Sequence, residues 1–92
     1  MRKPDLYVVA RFLDVLFWNR AGMKKTPLQM AVRLNYQTFL DYLEWLREHG
    51  LVKLVVDDDG TERIMLSAKG IEAYEMLVKW IKEVMKVSSV IL

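Results

Sequence analysis

Residues 26–52, TPLQMAVRLNYQTFLDYLEWLREHGLV, carry the signals for two consecutive helices joined by a tight turn. The first of these helices has a complete start signal. Thr26 can cap free backbone N–H groups, Pro27 suits the first helical position, and Gln29 lies three residues after Thr26, as a capping box requires. We therefore expect Thr26 to cap a helix over residues 27–34.

The second helix of this pair is predicted over residues 36–49. Asn35 precedes it and is a residue type that caps helices and tolerates turn geometry. Its apolar side chains recur at spacings of three and four, so they share one face. They are Phe39, Tyr42, Leu43 and Leu46. Gly50 can take the left-handed conformation with which helices commonly end.

A hairpin is predicted after the helix pair. Residues 51–56 are apolar and rich in β-branched side chains, and residues 62–66 can pair back with them. The turn between them, Asp57-Asp58-Asp59-Gly60, ends in the Asp-Gly pair that is a strong hairpin signal. The spacing of these carboxylates does not match a calcium loop, so a solvated acidic turn is the simpler interpretation.

A helix is predicted near each end of the chain, over residues 5–20 and over residues 68–86. The first is expected to be largely buried, and Ser67 is expected to cap the second, with Gly70 tolerated in its first turn. The apolar residues 87–92 remain unassigned. The order of elements predicts an α+β, mainly helical fold, a winged helix-turn-helix with a three-helix core, a two-stranded wing and a long C-terminal helix.

The length of 92 residues suits one domain with a modest core, predicted over residues 1–92. Its parts are the helix-turn-helix, the wing hairpin and a C-terminal dimerisation helix, at residues 26–50, 51–66 and 67–86. The chain has no cysteine, and neither a secretory signal nor a membrane-spanning run is visible in the sequence. We therefore expect a cytoplasmic protein without membrane association.

The exposed side of the helix predicted over residues 36–49 is the candidate DNA-reading surface, because a helix-turn-helix commonly places its second helix in the major groove. Gln37 and Thr38 can hydrogen-bond base edges, and the wing and the start of the first helix offer cations for phosphates. The candidate DNA-binding residues are Lys24, Lys25, Thr26, Arg33, Tyr36, Gln37, Thr38, Asp41, Lys53 and Arg63. The alternative is a solvated helix face with loop lysines that serve solubility.

The charge distribution bears on this hypothesis. The net charge of +2 is the sum of an acidic middle, −3 over residues 26–66, and basic flanks. Carboxylates at the wing tip and on the second helix would repel phosphates, so they oppose deep insertion of the wing into DNA.

The last helix has more apolar surface than a small core needs, which indicates pairing with a second chain. The candidate dimer-interface residues are Tyr74, Leu77, Trp80, Ile81 and Val84. Burial against the first helix is the alternative. His49 is the only histidine and is typical of a helix end, and the sequence contains no recognisable nucleophile–base pair, phosphate-binding glycine loop or metal-ligand spacing. We expect no catalytic residues, no metal and no cofactor, and hence no enzyme.

Residues 33–43, RLNYQTFLDYL, followed by Leu46 and by residues 50–52, GLV, resemble the small archaeal winged-helix DNA-binding proteins. Residues 65–70, MLSAKG, are similar to the segment that opens the last helix of that family. The resemblance covers about residues 5–86, with Arg33 in place of the usual Asn and Asn35 in place of the capping Ser. It implies a dimeric transcriptional regulator that binds double-stranded DNA and pairs through its first and last helices.

The leading hypothesis is therefore sequence-specific binding of double-stranded DNA by a homodimeric transcriptional regulator. The alternative is a protein–protein interaction module whose acidic wing and helix face dock on a basic protein partner. A regulator that responds to a small molecule bound between the first and last helices is a third possibility.

Overall fold

Four helices and one antiparallel hairpin make up the fold, in the order predicted from the sequence. The computed structural model describes the backbone of residues 3–91 and the side chains of residues 3–84. The elements are α1 (Leu6–Phe17), α2 (Lys25–Val32), α3 (Tyr36–Glu48), β1 (Val52–Val56), β2 (Glu62–Leu66) and α4 (Ala68–Ile91). This arrangement confirms the predicted mainly helical α+β class and the winged helix-turn-helix order.

The core lies where α1, α2 and α3 meet the inner face of the hairpin. Phe12 of α1 is fully buried, and its ring packs against Phe39 at 5.7 Å and Tyr42 at 6.1 Å between centroids. The four apolar positions predicted to share one face of α3 are all buried, which confirms that spacing. Burial of side chains of this size stabilises the fold by about 1.5–3 kcal/mol each.

The hairpin is extended on one side by a single residue from the loop before α2. Strands β1 and β2 pair with Val52 opposite Leu66 and Val56 opposite Glu62. Met23 then exchanges two backbone hydrogen bonds with Ile64, at 2.9 and 2.8 Å. The start of α2 is therefore fixed directly to the wing.

The predicted start of α2 is wrong, and the Met23 bridge gives the physical reason. The helix begins at Lys25, one residue after the extended N-cap Lys24, so Thr26 already has helical backbone and makes no capping hydrogen bond. The capping box is absent as well, because Gln29 donates its side-chain amide to the carbonyl of Leu34 at 3.2 Å. The chain turns into the helix as soon as it leaves the bridge at Met23.

The other helix ends follow local hydrogen bonds. Asn35 caps α3 through its side-chain oxygen, which accepts from the backbone N–H of Thr38 at 2.9 Å, as predicted. Gly50 has φ +71° after α3, also as predicted. The first helix stops at Phe17, short of the predicted end, and the Asn19 side-chain amide donates to the Val15 carbonyl there at 2.7 Å. The last helix continues to Ile91, beyond the predicted end at residue 86.

The start of α4 is locked to the end of α3. The Ser67 hydroxyl accepts from the backbone N–H of Gly70 at 3.0 Å, which confirms the predicted cap, and donates to the Gly50 carbonyl at 2.5 Å. Gly70 is required rather than merely tolerated, because a β-carbon built on it would overlap the carbonyl oxygen of Leu51. Lys69 adds a hydrogen bond from its ammonium group to the His49 carbonyl at 2.8 Å.

Candidate nucleic-acid interface

The first turn of α3 forms the exposed centre of the candidate interface. Asn35 caps it and Phe39 anchors it in the core, so the residues between them are held in a fixed orientation. Tyr36 is 55% exposed and Gln37 is exposed beside it. Thr38 is half-buried.

Gln37 is oriented by a neighbour on the same helix. Its side-chain amide nitrogen donates to Asp41 Oδ1 at 3.1 Å, one helical turn further along. One of the two amide hydrogens is thereby used, while the second and the carbonyl oxygen remain for another partner. Asp41 thus acts on Gln37 rather than standing alone as an acidic residue on this face.

Arg33 occupies the turn between α2 and α3 in a strained backbone conformation. Its φ and ψ of 58° and 47° are left-handed, and its N–H bonds to the carbonyls of Gln29 and Met30 close α2. This conformation costs a residue with a β-carbon roughly 1–2 kcal/mol. Across residues 3–84 the structure shows no carboxylate within ion-pair distance of the exposed Arg33 guanidinium.

Two of the predicted phosphate contacts, one on the wing and one at the start of α2, have carboxylate neighbours that the sequence did not reveal. Arg63 Nε donates to Asp57 Oδ2 at 2.6 Å, and both side chains are only about one-third exposed, at 35% and 37%. Lys25 Nζ lies 3.9 Å from Glu62 Oε1 in a looser and more exposed pair. These two predicted phosphate contacts are therefore engaged within the chain. The hairpin register was the missing information, since it places the end of β1 beside β2.

A third acidic group of the wing, Asp59, lies near Lys24. The backbone N–H of Thr61, which donates to Asp59 Oδ1 at 2.9 Å, lowers the pKa of this carboxyl below its ordinary value. The Thr61 hydroxyl and the positive charge of Lys24 shift the pKa in the same direction. Lys53 on β1 is exposed and lies outside the ion pairs seen in the described part of the chain.

The start of α2 presents exposed backbone donors beside two lysines. Lys24, Lys25 and Thr26 are all exposed, and no side chain caps the N–H groups of this first turn. Because the N-terminal end of a helix is positive, the uncapped turn and the two ammonium groups favour an anion.

The outer face of α3 beyond its first turn is acidic. Asp41, Glu44 and Glu48 surround the half-buried ring of Trp45 in a shallow hollow of about 220 Å³. The Trp45 ring stacks on His49 at 4.1 Å between centroids. This hollow suits a cation rather than a phosphate, and the sequence alone indicated its carboxylates without the aromatic floor.

The predicted dimer-interface residues divide into one buried residue and four accessible ones. Tyr74 is buried within the chain, where its hydroxyl donates to Asp14 Oδ1 at 2.5 Å and its ring lies 4.5 Å from that of Phe17. Burial, and then the hydrogen bond and charge of Asp14, raise the pKa of Tyr74. Tyr74 therefore packs against α1 within its own chain and has little exposed side-chain surface left for a second one.

The remaining four residues line an apolar groove between α1 and α4. It has a volume of about 500 Å³, and its lining residues are Leu6, Tyr7, Ala10, Leu77, Trp80, Ile81 and Val84. Trp80 is 61% exposed, and Leu6 and Tyr7 are still more exposed. The sequence pattern predicted that α1 is largely buried, and so gave no sign that its first turn contributes to this groove.

The sequence profile of a family described as winged helix-turn-helix matches residues 7–86, which is most of the chain. The chain belongs to the winged helix-turn-helix family. No curated protein matches the sequence.

Several solved winged-helix structures share the fold. MepR from Staphylococcus aureus, a transcription regulator of the multidrug efflux pump MepA, is 20% identical and superposes with a TM-score of 0.83 over 92% of this chain and 64% of MepR. A MepR variant bound to an oligodeoxyribonucleotide is 19% identical, with a TM-score of 0.79 and the same coverage. A MarR-family transcriptional regulator from Silicibacter pomeroyi is 25% identical, with a TM-score of 0.69 over 83% of this chain and 51% of that one. The chain thus spans less than two thirds of these neighbours.

Within this winged helix, the two hydrogen-bonded strands form the wing and α3 is the second helix of the helix-turn-helix. In the described part of the chain no helix is both long and apolar enough to cross a membrane. Residues 3–84 also contain no group of three potential histidine, cysteine or carboxylate metal ligands.

Proposed function

We propose that this chain binds double-stranded DNA in a sequence-specific way, as a homodimeric transcriptional regulator in the cytoplasm. Kinship with the small archaeal winged-helix regulators is part of the same proposal. The observation that carries it is the first turn of α3, where a cap and a core anchor hold exposed polar side chains outward.

Base reading would rest on Gln37, because a helix-turn-helix contacts base edges in the major groove with the N-terminal residues of its second helix. A glutamine side chain recognises adenine with one donor and one acceptor. The hydrogen bond to Asp41 leaves both available and fixes the amide plane before DNA arrives. This preorganisation supports Gln37 as the principal specificity residue, with Tyr36 and Thr38 beside it.

Contacts to the DNA backbone would come from three places in the fold. The uncapped start of α2, with Lys24 and Lys25, can bind one phosphate, and Arg33 at the α2–α3 turn can bind another. Lys53 and Arg63 would contact phosphates from the wing.

Dimerisation would use the groove between α1 and α4. A monomer rarely exposes a contiguous apolar surface built from side chains as large as those that line this groove. The long helix α4 also continues beyond the groove. A two-fold axis through α4 would cover Trp80 and Ile81 and would present two copies of α3 to two half-sites.

The test is binding to a labelled random-sequence duplex over a range of salt concentrations. Phosphate contact predicts that the logarithm of the association constant falls linearly with the logarithm of salt, by about 0.9 for each phosphate neutralised. Complete lack of binding at low salt would contradict the proposal, provided that the protein is folded by circular dichroism.

A second candidate function is docking on a basic protein partner, and the acidic hollow around Trp45 favours it. Three carboxylates beside an aromatic ring can hold a lysine or arginine side chain by charge and by cation–π contact. Glu44→Gln with Glu48→Gln should abolish such docking and leave DNA binding unchanged or slightly tighter. Loss of DNA binding in this double variant would argue against a separate role for the hollow.

A further inference from the structure

Two carboxylates of the wing lie beside cations that would contact phosphates in the proposed DNA complex. Asp57 lies 2.6 Å from the Arg63 guanidinium, and Glu62 lies 3.9 Å from the Lys25 ammonium. Both cations are candidate phosphate contacts, one on the wing and one at the start of α2. The carboxylates therefore lie where DNA phosphates would have to bind.

The position of Asp57 is set by backbone hydrogen bonds. Its N–H donates to the Thr61 carbonyl at 2.8 Å, and its own carbonyl accepts from the Gly60 N–H at 2.9 Å. Both bonds close the turn, so the carboxylate is held beside Arg63 rather than reaching it by chance. Partial shielding of both side chains from water makes this pair stronger than a fully exposed one.

Glu62 connects the wing to the helix whose start favours anions. Met23 joins β2 to the segment before α2. Glu62 of β2 therefore lies near the uncapped N-terminal turn of α2. Its carboxylate adds negative charge at the place where a phosphate would bind.

We propose that Asp57 and Glu62 act as internal competitors for DNA phosphate, holding Arg63 and Lys25 in the free protein and exchanging them for phosphates on binding. This inference rests on the proposed DNA-binding function. Opening the two pairs costs the same free energy in a non-specific and in a specific complex that use these phosphate contacts, so the exchange lowers both affinities by the same factor.

The test compares variants in the same random-duplex titration. Asp57→Asn and Glu62→Gln should each tighten binding by about two- to fivefold, the range expected for pairs of this exposure. The salt slope should change little, because the same cations reach phosphates in the wild-type and variant complexes. The matched control is Asp58→Asn, which removes the same charge from an exposed residue of the same turn that has no ion pair within residues 3–84.

A double-mutant cycle separates pairing from general repulsion. The gain from Asp57→Asn should vanish in an Arg63→Gln background, and the gain from Glu62→Gln should vanish in a Lys25→Gln background. General repulsion instead predicts equal gains from positions 57, 58 and 62 in every background, and that result would overturn the inference while leaving the DNA-binding proposal intact.

The two proposals can also fail separately at the level of the wild type. If the wild-type protein does not bind but the folded Asp57→Asn, Glu62→Gln double variant does, the inference holds and the inhibition is stronger than expected. If neither binds the duplex at low salt, both the inference and the proposed function are wrong.

Discussion

Gly70, in the first turn of α4, packs against the carbonyl group of Leu51 so closely that a β-carbon at position 70 would overlap the oxygen. The contact joins the end of the helix-turn-helix to the start of the last helix. Ser67 and Lys69 reinforce it with hydrogen bonds to the Gly50 and His49 carbonyls.

Gly70→Ala should therefore destabilise the protein, although glycine-to-alanine substitutions inside helices usually stabilise them by up to about 1 kcal/mol. Overpacking of this kind typically costs about 1–3 kcal/mol, so the sign of the change is diagnostic. Urea unfolding of the variant measures it. A variant more stable than the wild type would mean that α4 begins further from Leu51 than described.

The corrected helix start gives a matched pair of cap substitutions. Asn35→Ala removes a capping hydrogen bond and should lower the free energy of unfolding by about 0.5–2 kcal/mol. Thr26→Ala, at an exposed position without a capping bond, should change it by less than about 0.5 kcal/mol. A large loss at Thr26 and none at Asn35 would reverse the assignment of the caps.

Tyr74 predicts a specific loss of stability in alkali. Burial and the Asp14 carboxylate raise its pKa in the folded state above the ordinary value of 10.0. The folded state thus holds the phenol proton more tightly than the unfolded state, so this contribution is intact below pH 10.0 and is lost as the pH rises through the folded-state pKa. Unfolding measured across this range should show a steeper decline for the wild type than for Tyr74→Phe. Parallel curves would contradict the prediction.

The groove between α1 and α4 predicts the assembly state. The wild type should sediment as a dimer at micromolar concentrations, and Trp80→Glu with Ile81→Glu should give folded monomers because charge would be buried in the interface. Lys82→Glu adds a glutamate to the same helix at an exposed position outside the groove, and should leave the dimer unchanged. A monomeric wild type would exclude this interface.

Gln37 and Arg33 should separate sequence preference from general affinity. Gln37→Ala should reduce discrimination among duplex sequences, because a bidentate hydrogen-bonded pair with the correct base contributes about 1–3 kcal/mol of discrimination. Arg33→Ala should weaken binding to all sequences alike and lower the salt slope by about one. Competition titrations with several duplexes distinguish the two patterns. If neither variant differs from the wild type, the first turn of α3 is not at the DNA.

Local patterns in the sequence were sufficient to predict the elements and their order. The cap at Asn35, the left-handed Gly50 and the apolar face of α3 each depend on neighbours within a few residues, and all three predictions are confirmed. Thr26 has equally good local signals, yet its cap prediction is wrong. There a long-range contact, the pairing of Met23 with Ile64, sets where the chain turns into α2.

The candidate site was less predictable because it depends on contacts between distant residues. An apolar stripe on α4 does not reveal which residues α1 covers, so Tyr74 and Trp80 looked equivalent in the sequence. Composition likewise indicated an acidic wing but not that Asp57 and Arg63 form a pair, which requires the strand register. Predictions about individual charges therefore needed the structure, whereas predictions of which elements occur, and in what order, did not.

The two hydrogen bonds between Met23 and Ile64 hold the start of α2 and the wing at one spacing. A duplex that contacts both must itself conform to that fixed spacing, by narrowing, widening or bending. Sequences differ in the energy of such deformation. The fixed spacing would therefore favour some DNA sequences over others through their deformability, at base pairs that no side chain contacts.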